Sequence, residues 1–431
     1  MHKKWVIYLN IYKMSLTLNA ANPRKSVLDL IPLAAILCLI IGFLFNRVTS
    51  NIGFGLAGLY TLIKIKEISY LFRNKWMWTF MAMALVPLIS DLWTTGIYFF
   101  AERGIMKCVL ILFPAFVFAT SPDAKKVTIL HIIIIVAMLI STIYSMTLFL
   151  TDQSDILASY KVSKVMKVLS YGDHIRISWM VVISILMAIY QLVKSTSKVW
   201  TIPLVSYVVI QTLFLHFLGS KTGLLSLYMM YMILTFYLLP QGKKWVFIVV
   251  LALLAGIALL SVKFIPSLKE RVNFIRYDFE HYSKGEYRDG LSDAVRFYSL
   301  MAGKDIIAEH PISGVGFSRL QQSTNQWYDQ NRPEIKTESR FLPSSQYIIY
   351  WASGGILALL VMMVHTLMPF FMRCLRTDVW FMAFFIPAIS SFTYETHLEG
   401  QLPLFVYGFF TAWFWFLACG NEEKQIADLK N

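Results

Sequence analysis

The chain has 431 residues, of which 57% are hydrophobic and only 15% are charged. A soluble globular domain cannot bury so large an apolar fraction, so the composition excludes that class and is typical of a membrane protein. The formal net charge of +14 does not indicate a nucleic-acid partner, because most Lys and Arg residues stand in short clusters beside apolar runs, as the positive-inside rule produces.

Residues 1–26 are polar and basic, and no small-residue cleavage site follows the first apolar run. We therefore expect a cytoplasmic N-terminal segment and no cleavable signal peptide. A hydrocarbon core of about 30 Å requires about 20 apolar residues of helix. Apolar runs of roughly that length predict 12 transmembrane helices, at 27–45, 48–65, 76–93, 104–120, 127–150, 175–193, 199–218, 222–240, 245–264, 345–366, 378–396 and 402–419.

The connections between these runs indicate the orientation. If the N-terminus is cytoplasmic, every cytoplasmic connection is basic, and these segments hold about half of the 39 Lys and Arg residues. The predicted fold is therefore an all-α polytopic membrane protein of about 12 transmembrane helices with a large, partly helical periplasmic loop. Its predicted parts are a membrane domain of nine spans (27–264), the loop (265–344), three further spans (345–419) and a cytoplasmic tail (420–431).

The four cysteines lie in or next to apolar runs, and none lies in the loop. Their spacing indicates neither a disulfide framework nor a cysteine metal site.

The large loop is predicted to contain a helix that begins at Ser292-Asp293 and ends before Pro311. Serine can cap the free amides, aspartate favours the positive end of the helix dipole, and proline stops the helix. A helical wheel places four residues on the face predicted to pack against the membrane domain, namely Ala294, Phe297, Tyr298 and Met301.

Arg296 points away from that face and could hold a ligand, although a surface arginine paired with Asp293 or a lipid headgroup explains the residues equally well. Gly314 and Gly316 permit a tight turn with exposed amides that suits an anion, but an ordinary turn is the default interpretation. Arg176 and Lys221 stand at span ends on the same predicted side. Each could snorkel to the headgroups, while their shared side with Arg296 favours a common basic cavity.

Several segments, taken together, resemble the O-antigen ligase and polymerase superfamily of bacterial envelope glycosyltransferases, most strongly from about 210 to 360. Ser220-Lys-Thr-Gly223 looks like the family's Ser-Arg-x-Gly, with lysine in place of arginine. The stretch from Arg296 to Gly316 is similar to its arginine helix leading into Pro-x-x-Gly-x-Gly. Pro343-Ser-Ser-Gln-Tyr347, followed by the glycine-containing 351–356, looks like its Pro-His-Asn-x-Tyr segment. Residues 394–401 resemble the polar end of the penultimate span.

The resemblance implies glycan transfer at the outer face of the bacterial inner (cytoplasmic) membrane, with both termini cytoplasmic. The implied donor is a glycan on polyprenyl diphosphate, and the implied acceptor is a hydroxyl of lipid A-core or of another saccharide. Since the leaving group is a diphosphate, nearby cations lower the barrier. The implied partners are this donor, the acceptor and membrane lipids, with no nucleic acid, no cofactor and no metal.

Arginine can hold two phosphate oxygens, whereas lysine acts as a point charge. Arg296 and Lys221 are therefore expected to stabilise the leaving diphosphate. The expected substrate-binding residues are Arg176, Gly314, Gly316 and Tyr347.

The acceptor side departs from the family pattern. Ser344 stands where the family commonly has a histidine proposed to activate the acceptor, and serine has no usable basicity at neutral pH. Ser344 and His310 are the candidate acceptor-side residues, with Glu309, Glu395 and His397 as further substitutes.

Three alternatives stay open. A polymerase of the same superfamily would differ from a ligase only in its acceptor. A lipid-linked oligosaccharide transporter is less favoured, because transporters tend to show paired halves and no internal repeat is found. An inactive membrane scaffold gains some weight from the missing histidine.

Overall fold

The computed structural model describes residues 28, 30–94, 104–161, 164–194, 198–238, 244–284, 286–287 and 291–428. The predicted N-terminal segment 1–26 lies outside the described residues. Within the described ranges the regular structure is helical, without strands. The α-helices in chain order are α1 Ile31–Leu44, α2 Arg47–Ile63, α3 Lys75–Thr94, α4 Gly104–Lys107, α5 Val109–Thr120, α6 Ala124–Thr151, α7 Gln153–Tyr160, α8 His174–Lys194, α9 Thr201–Leu218, α10 Lys221–Leu238, α11 Lys244–Phe264, α12 Pro266–Ser283, α13 Ser292–Glu309, α14 Leu320–Asn331, α15 Gln346–Phe371, α16 Arg373–Arg376, α17 Val379–Ser391 and α18 Gln401–Asp428.

Each of the predicted apolar runs coincides with a helix, and the chain is a multi-pass membrane protein. Among the described residues, six helices are long and apolar enough to cross a membrane, and three further apolar helices are shorter. The six spans are Ala124–Thr151, His174–Lys194, Thr201–Leu218, Phe247–Phe264, Gln346–Phe371 and Gln401–Gly420. A total of 12 spans, and the side on which the loop lies, stay predictions.

Short polar residues start several of these helices. Asn46, Asp123 and Asp378 each accept a hydrogen bond from a backbone amide in the first turn of α2, α6 and α17. Such side-chain caps satisfy amides that have no partner inside the helix. Gly219 ends α9 in the left-handed conformation, with φ of 62°, which glycine adopts without steric cost. These signals fix where the spans begin and end.

The helices differ greatly in how far they are enclosed by protein. In the Gln401–Gly420 part of α18, which runs through the middle of the bundle, 89% of the residues in the apolar stretch are buried. In Phe247–Phe264 of α11, at the edge of the bundle, only 6% are buried. Trp76, Phe80 and Trp415 pack together at the centre, with ring centroids of Trp76 and Trp415 4.8 Å apart. An apolar helix that is barely covered by protein suits contact with lipid.

The loop contains three helices, α12, α13 and α14, with a small hydrophobic core of its own. The predicted helix from 292 to 309 is confirmed by α13, but its predicted packing face was partly wrong. Phe297 and Met301 are 44% and 40% exposed, while Val295 and Ala302 are buried. The reason is that α12 and α14, as well as α15, cover α13, so the loop's own core selects the buried face.

Cys374 and Cys419 form a disulfide, which the spacing of the cysteines did not indicate. The short helix α16 brings Cys374 beside the far part of α18, with a Cα–Cα separation of 5.6 Å. The two residues are 45 positions apart in sequence, so only the packing of α15 to α18 reveals the pair.

Candidate functional site

The helix that carries Arg296 is held at its N-terminus by a buried carboxylate from the preceding helix. Leu291 occupies the N-cap position and gives no side-chain cap, so the predicted capping by Ser292 was wrong. Asp278 of α12 instead accepts hydrogen bonds from the amides of Asp293 and Ala294, at 2.8 and 3.1 Å. Its carboxylate also faces the positive end of the helix dipole, which fixes the first turn of α13.

Asp278 is fully buried, and this burial raises the pKa of its carboxyl group, although the two amide hydrogen bonds oppose the rise.

Arg296, one turn into α13, forms an ion pair with Glu395, which lies between α17 and α18. The Nη1 atom of Arg296 donates to Oε1 of Glu395 at 2.6 Å. The hydroxyl of Thr222, at the start of α10, donates to the same oxygen at 3.3 Å. The Glu395 side chain is only 7% exposed while that of Arg296 is 33% exposed, so the carboxylate lies beneath the guanidinium.

Lys221 opens α10 and pairs with Asp293 on the first turn of α13. The next residues of α10 pack closely against α8, since a Cβ atom on Gly223 would lie 2.4 Å from that of Ser178. The hydroxyls of Ser178 and Ser220 are 3.0 Å apart. Glycine at 223 therefore lets the start of α10, and Lys221 with it, approach α8.

Arg271 of α12 is a fourth component of the site that the sequence reasoning missed. It is buried beside Gly219, just before Lys221, and lies within electrostatic range of Asp293 and Arg296. Burial lowers the pKa of its guanidinium, and Asp293 opposes that effect. Its position in the sequence could have revealed it, because the buried residues of α12 recur at helical spacing and include this arginine.

Arg176 on α8 completes the group. One of its terminal nitrogens donates to the carbonyl of Thr396 at 2.9 Å, and the other lies 3.6 Å from Asp173. Among the described residues, its buried Nε atom has no hydrogen-bond partner. Arg176, Arg271 and Arg296 all lie within electrostatic range of His174, and Arg271 and Arg296 lie within electrostatic range of Lys221. The structure thus brings together Arg176, Lys221 and Arg296, the three cations that the sequence singled out.

These cations come from four helices, and acidic groups accompany them closely. Arg296 has Glu395, Lys221 has Asp293 and Arg176 has Asp173. Uncompensated cations near a membrane are costly. Since each of these pairs is partly exposed on its cationic side, an incoming dianion can replace a carboxylate as the partner of a cation.

The segment 392–400 between α17 and α18 connects this site to the bundle. Leu398 donates its amide to Gln346 at 2.9 Å, and Gln346 donates to Glu399 at 2.8 Å. Glu399 also pairs with Lys107 of α4 at 2.6 Å. His397 is fully buried, its ring centroid lies 4.4 Å from that of Trp179, and neither ring nitrogen has a hydrogen-bond partner in the part of the chain that the structure describes. Buried contacts therefore anchor the turn that presents Glu395.

Ser344 lies against the arginine helix one turn beyond Arg296. Its hydroxyl is 3.0 Å from that of Ser299, which also accepts the Ser344 amide at 3.1 Å. Tyr347 packs edge-on against Phe392 at 6.3 Å. Ser344 is thus near the site with its hydroxyl already bonded, and the substrate-binding role of Tyr347 stays a prediction.

His310 lies far from Arg296, and Gly314 and Gly316 pack on α15. His310 is exposed at the opposite end of α13 from Arg296, about 21 Å away along a helix that rises 1.5 Å per residue. Glu309 is exposed beside it. The predicted roles of all these residues in the reaction gain no support from this placement.

The glycine turn packs on a break in α15. The amides of Val315 and Gly316 donate to the carbonyls of Ala352 and Ser353, at 2.9 and 2.8 Å, so neither is open to an anion. Gly355 adopts φ of 68° inside α15, and a Cβ atom there would lie 1.8 Å from the carbonyl oxygen of Ile312. The turn and the break in α15 pack closely because both segments have a glycine where they meet.

One family model matches part of the chain. Residues 206–363 match the family model Wzy_C, O-Antigen ligase. This segment is therefore similar to the O-antigen ligase family. The matched segment runs from α9 into α15 and contains Lys221, Arg271 and Arg296, whereas Arg176 and Glu395 lie outside it. No curated protein matches the chain.

Members of the O-antigen ligase family are glycosyltransferase-like enzymes of envelope polysaccharide synthesis. Within the described residues, no three His, Cys, Asp or Glu side chains are grouped as metal ligands. What the site offers is a set of guanidinium and ammonium groups near buried carboxylates. Such a set can bind a diphosphate, stabilise its departure as a leaving group and accept a proton nearby.

Proposed function

We propose that the protein moves a glycan from polyprenyl diphosphate to a hydroxyl of lipid A-core, or of another saccharide acceptor, at the periplasmic face of the inner membrane. The observation that carries this proposal is the convergence of Lys221, Arg271, Arg296 and Arg176 from four helices at one end of the bundle. The family match to 206–363 supports the reaction class.

In this reaction Arg296 binds the diphosphate through two nitrogens and Lys221 adds a point charge, because a guanidinium fork matches two phosphate oxygens. As the bond between the anomeric carbon and the phosphate oxygen breaks, negative charge grows on the leaving diphosphate. Preorganised cations stabilise that charge more than they stabilise the bound donor, which lowers the barrier. Arg271 and Arg176 keep the site positively charged while the diphosphate replaces a carboxylate as the partner of a cation.

The topology forms part of the proposal. With the N-terminus in the cytoplasm, the loop 265–344 faces the periplasm and covers the outer ends of α8 and α10, where the cations lie. The polyprenyl chain of the donor stays in the bilayer, so its diphosphate lies at the depth of these helix ends. The predicted boundaries 27–264, 345–419 and 420–431 go with this orientation.

The proposal is tested with purified protein in liposomes, a polyprenyl-diphosphate-linked saccharide and a core oligosaccharide acceptor. Arg296→Ala is expected to lower kcat by about 10²–10³-fold, as for the loss of one preorganised donor at a developing charge. Lys221→Ala is expected to lower it as well. Lys304→Ala and Arg319→Ala, which remove exposed charges elsewhere on the loop, serve as matched controls. Full transfer by both site variants would refute the assignment.

Gene deletion separates a ligase from a polymerase of the same superfamily. Loss of a ligase leaves lipid A-core uncapped while polyprenyl-linked polymer accumulates, whereas loss of a polymerase leaves single repeat units attached to the core. A lipopolysaccharide gel distinguishes the two patterns. We expect the ligase pattern.

A further inference from the structure

We propose that Glu395 is the catalytic base that takes the proton from the acceptor hydroxyl. This inference rests on the proposed glycan transfer and deepens it, because it assigns the acceptor side of the reaction. Glu395 lies directly beneath Arg296, at 2.6 Å, and its side chain is 7% exposed. A base in this place is next to the bond that breaks.

The contacts of Glu395 leave one oxygen for the acceptor. Arg296 and Thr222 both donate to Oε1. Among the described residues, none donates a hydrogen bond to Oε2. A carboxylate held through one oxygen is fixed in orientation, and its second oxygen can accept a proton from a hydroxyl within hydrogen-bond reach.

The other candidates lack either basicity or position. The hydroxyl of Ser344 is engaged with Ser299, and serine is not a base at neutral pH. His310 and Glu309 are exposed at the far end of α13. His397 is fully buried against Trp179, so an acceptor sugar has no access to it.

Asp173 and Asp293 are the other carboxylates that pair with the cations. Asp173 caps the first turn of α8, because it accepts the amide of Arg176 at 3.1 Å. Asp293 lies on the first turn of α13 and pairs with Lys221. The pair of Lys221 with Asp293 is more exposed than that of Arg296 with Glu395, at 40% and 26% against 33% and 7%. Asp293 is therefore suited to be a counter-ion that the donor displaces, whereas Glu395 stays in place beneath the guanidinium.

The ion pair between Arg296 and Glu395 links donor binding to the activation of the base. Without a donor, the guanidinium of Arg296 is paired with Glu395. When the diphosphate binds, it takes over part of the hydrogen bonding of Arg296, and this frees the carboxylate to contact the acceptor hydroxyl. The base thus becomes available only when a leaving group is present, which disfavours unproductive proton transfer.

The step balances without a co-reactant. The acceptor oxygen forms a bond to the anomeric carbon while the bond from that carbon to the diphosphate oxygen breaks. The electron pair of the broken bond stays on the diphosphate, beside Arg296 and Lys221. The hydroxyl proton moves to Oε2 of Glu395 and then passes to solvent or to the departing diphosphate, which regenerates the charged carboxylate.

The decisive variant is Glu395→Gln, because glutamine still accepts a hydrogen bond from Arg296 through its carbonyl oxygen but cannot take a proton. In the liposome assay we expect kcat to fall by about 10²–10⁴-fold, the range of general-base contributions. The KM for the polyprenyl-diphosphate donor should stay within a few-fold of wild type. Glu395→Asp keeps a carboxylate on a shorter side chain and should recover part of kcat.

Glu309→Gln is the matched control, since it removes an exposed carboxylate at the end of α13 that is distant from Arg296. It should leave both constants unchanged. Size-exclusion profiles and thermal unfolding show whether each variant is folded, and Glu395→Asp keeps the test decisive if the glutamine variant unfolds. If Glu395→Asp recovers part of kcat and Glu395→Gln does not, the result supports Glu395 as the base.

Two results would overturn the inference. One is a folded Glu395→Gln protein whose kcat stays within a few-fold of wild type, because Glu395 would then only position Arg296. The other is a Glu395→Asp protein as inactive as a folded glutamine variant. Failure of the proposed function looks different, since wild-type protein would then form no product from the polyprenyl-diphosphate donor, or Arg296→Ala would be fully active.

Discussion

The buried ion pair between Lys107 and Glu399 gives a stability prediction that can be worked out from its contacts. The Nζ atom of Lys107 lies 2.6 Å from Oε1 of Glu399 and donates to the carbonyl of Leu398 at 3.1 Å. The two side chains are 1% and 6% exposed. Lys107 also lies over the ring of Tyr350, 5.3 Å from its centroid.

Replacing Lys107 by methionine keeps most of the side-chain volume and leaves Glu399 as a buried charge that accepts a hydrogen bond from Gln346, at 2.8 Å. Breaking a buried pair from one side costs about 3–5 kcal/mol, because the remaining charge is uncompensated. Lys107→Met should therefore lower the free energy of unfolding by about that amount. Lys125→Met removes an exposed lysine and should change it by less than about 0.5 kcal/mol.

A double-mutant cycle isolates the pair. Adding Glu399→Gln to Lys107→Met removes the stranded charge while glutamine can still accept from Gln346. The double variant should be less destabilised than the sum of the two single variants by about 2 kcal/mol or more. The free energy of unfolding is measured in detergent micelles with SDS as denaturant. Single effects that add within about 0.5 kcal/mol would refute the reasoning.

Three further predictions concern the arginine helix and the turn beside it. Asp278→Ala removes both hydrogen bonds that cap the first turn of α13 and should lower the free energy of unfolding by about 2–3 kcal/mol. It should also lower glycan transfer, a loss that Asp278→Asn partly avoids. Unchanged stability in micelles would contradict the capping role. Because burial raises the pKa of Asp278, the native state binds that proton more tightly than the unfolded chain. The stability of wild type relative to Asp278→Asn should therefore increase as the pH falls from neutral through the raised pKa, and a decrease would contradict this sign. Gly355 has a left-handed backbone conformation, and Gly355→Ala would place a methyl group against the carbonyl of Ile312. This variant should lower the free energy of unfolding by more than about 2 kcal/mol. Gly256→Ala, whose methyl group would contact no other residue within 4 Å among those described, should not destabilise the protein.

The sequence predicted much of the fold because hydrophobic runs and helix stops are local signals. The helix from Ser292 to Glu309 was predicted at both ends, since Pro311 and the polar start are near neighbours in the chain. The buried face of that helix was predicted less well. Phe297 is apolar, yet it is 44% exposed, because the packing of α12 and α14 decides which side is covered.

The candidate site was predictable in its cations and not in their partners. Lys221, Arg176 and Arg296 could be placed on one side from topology alone. Their counter-ions come from distant segments, as Glu395 is 99 residues from Arg296 and Asp293 is 72 residues from Lys221. No spacing rule connects such residues. For Arg271 a usable signal existed, since it falls on the apolar face of α12 with Leu268 and Phe274 and a charge on such a face needs a reason.

Two parts of the chain contribute to the site, and we expect each part to serve a different substrate. The matched segment 206–363 supplies three of the cations that hold the donor in the proposed reaction, and the segment 392–400 supplies Glu395. The second segment is also tied to α4 and α15 through Glu399. Because Glu399 and Glu395 are four residues apart in one short connection, a change at Lys107 alters the support of the base, whereas Lys221 and Arg271 lie on α10 and α12. We therefore expect Lys107→Met to lower kcat more than it raises the KM for the donor, and an effect confined to that KM would separate the buried pair from the acceptor side.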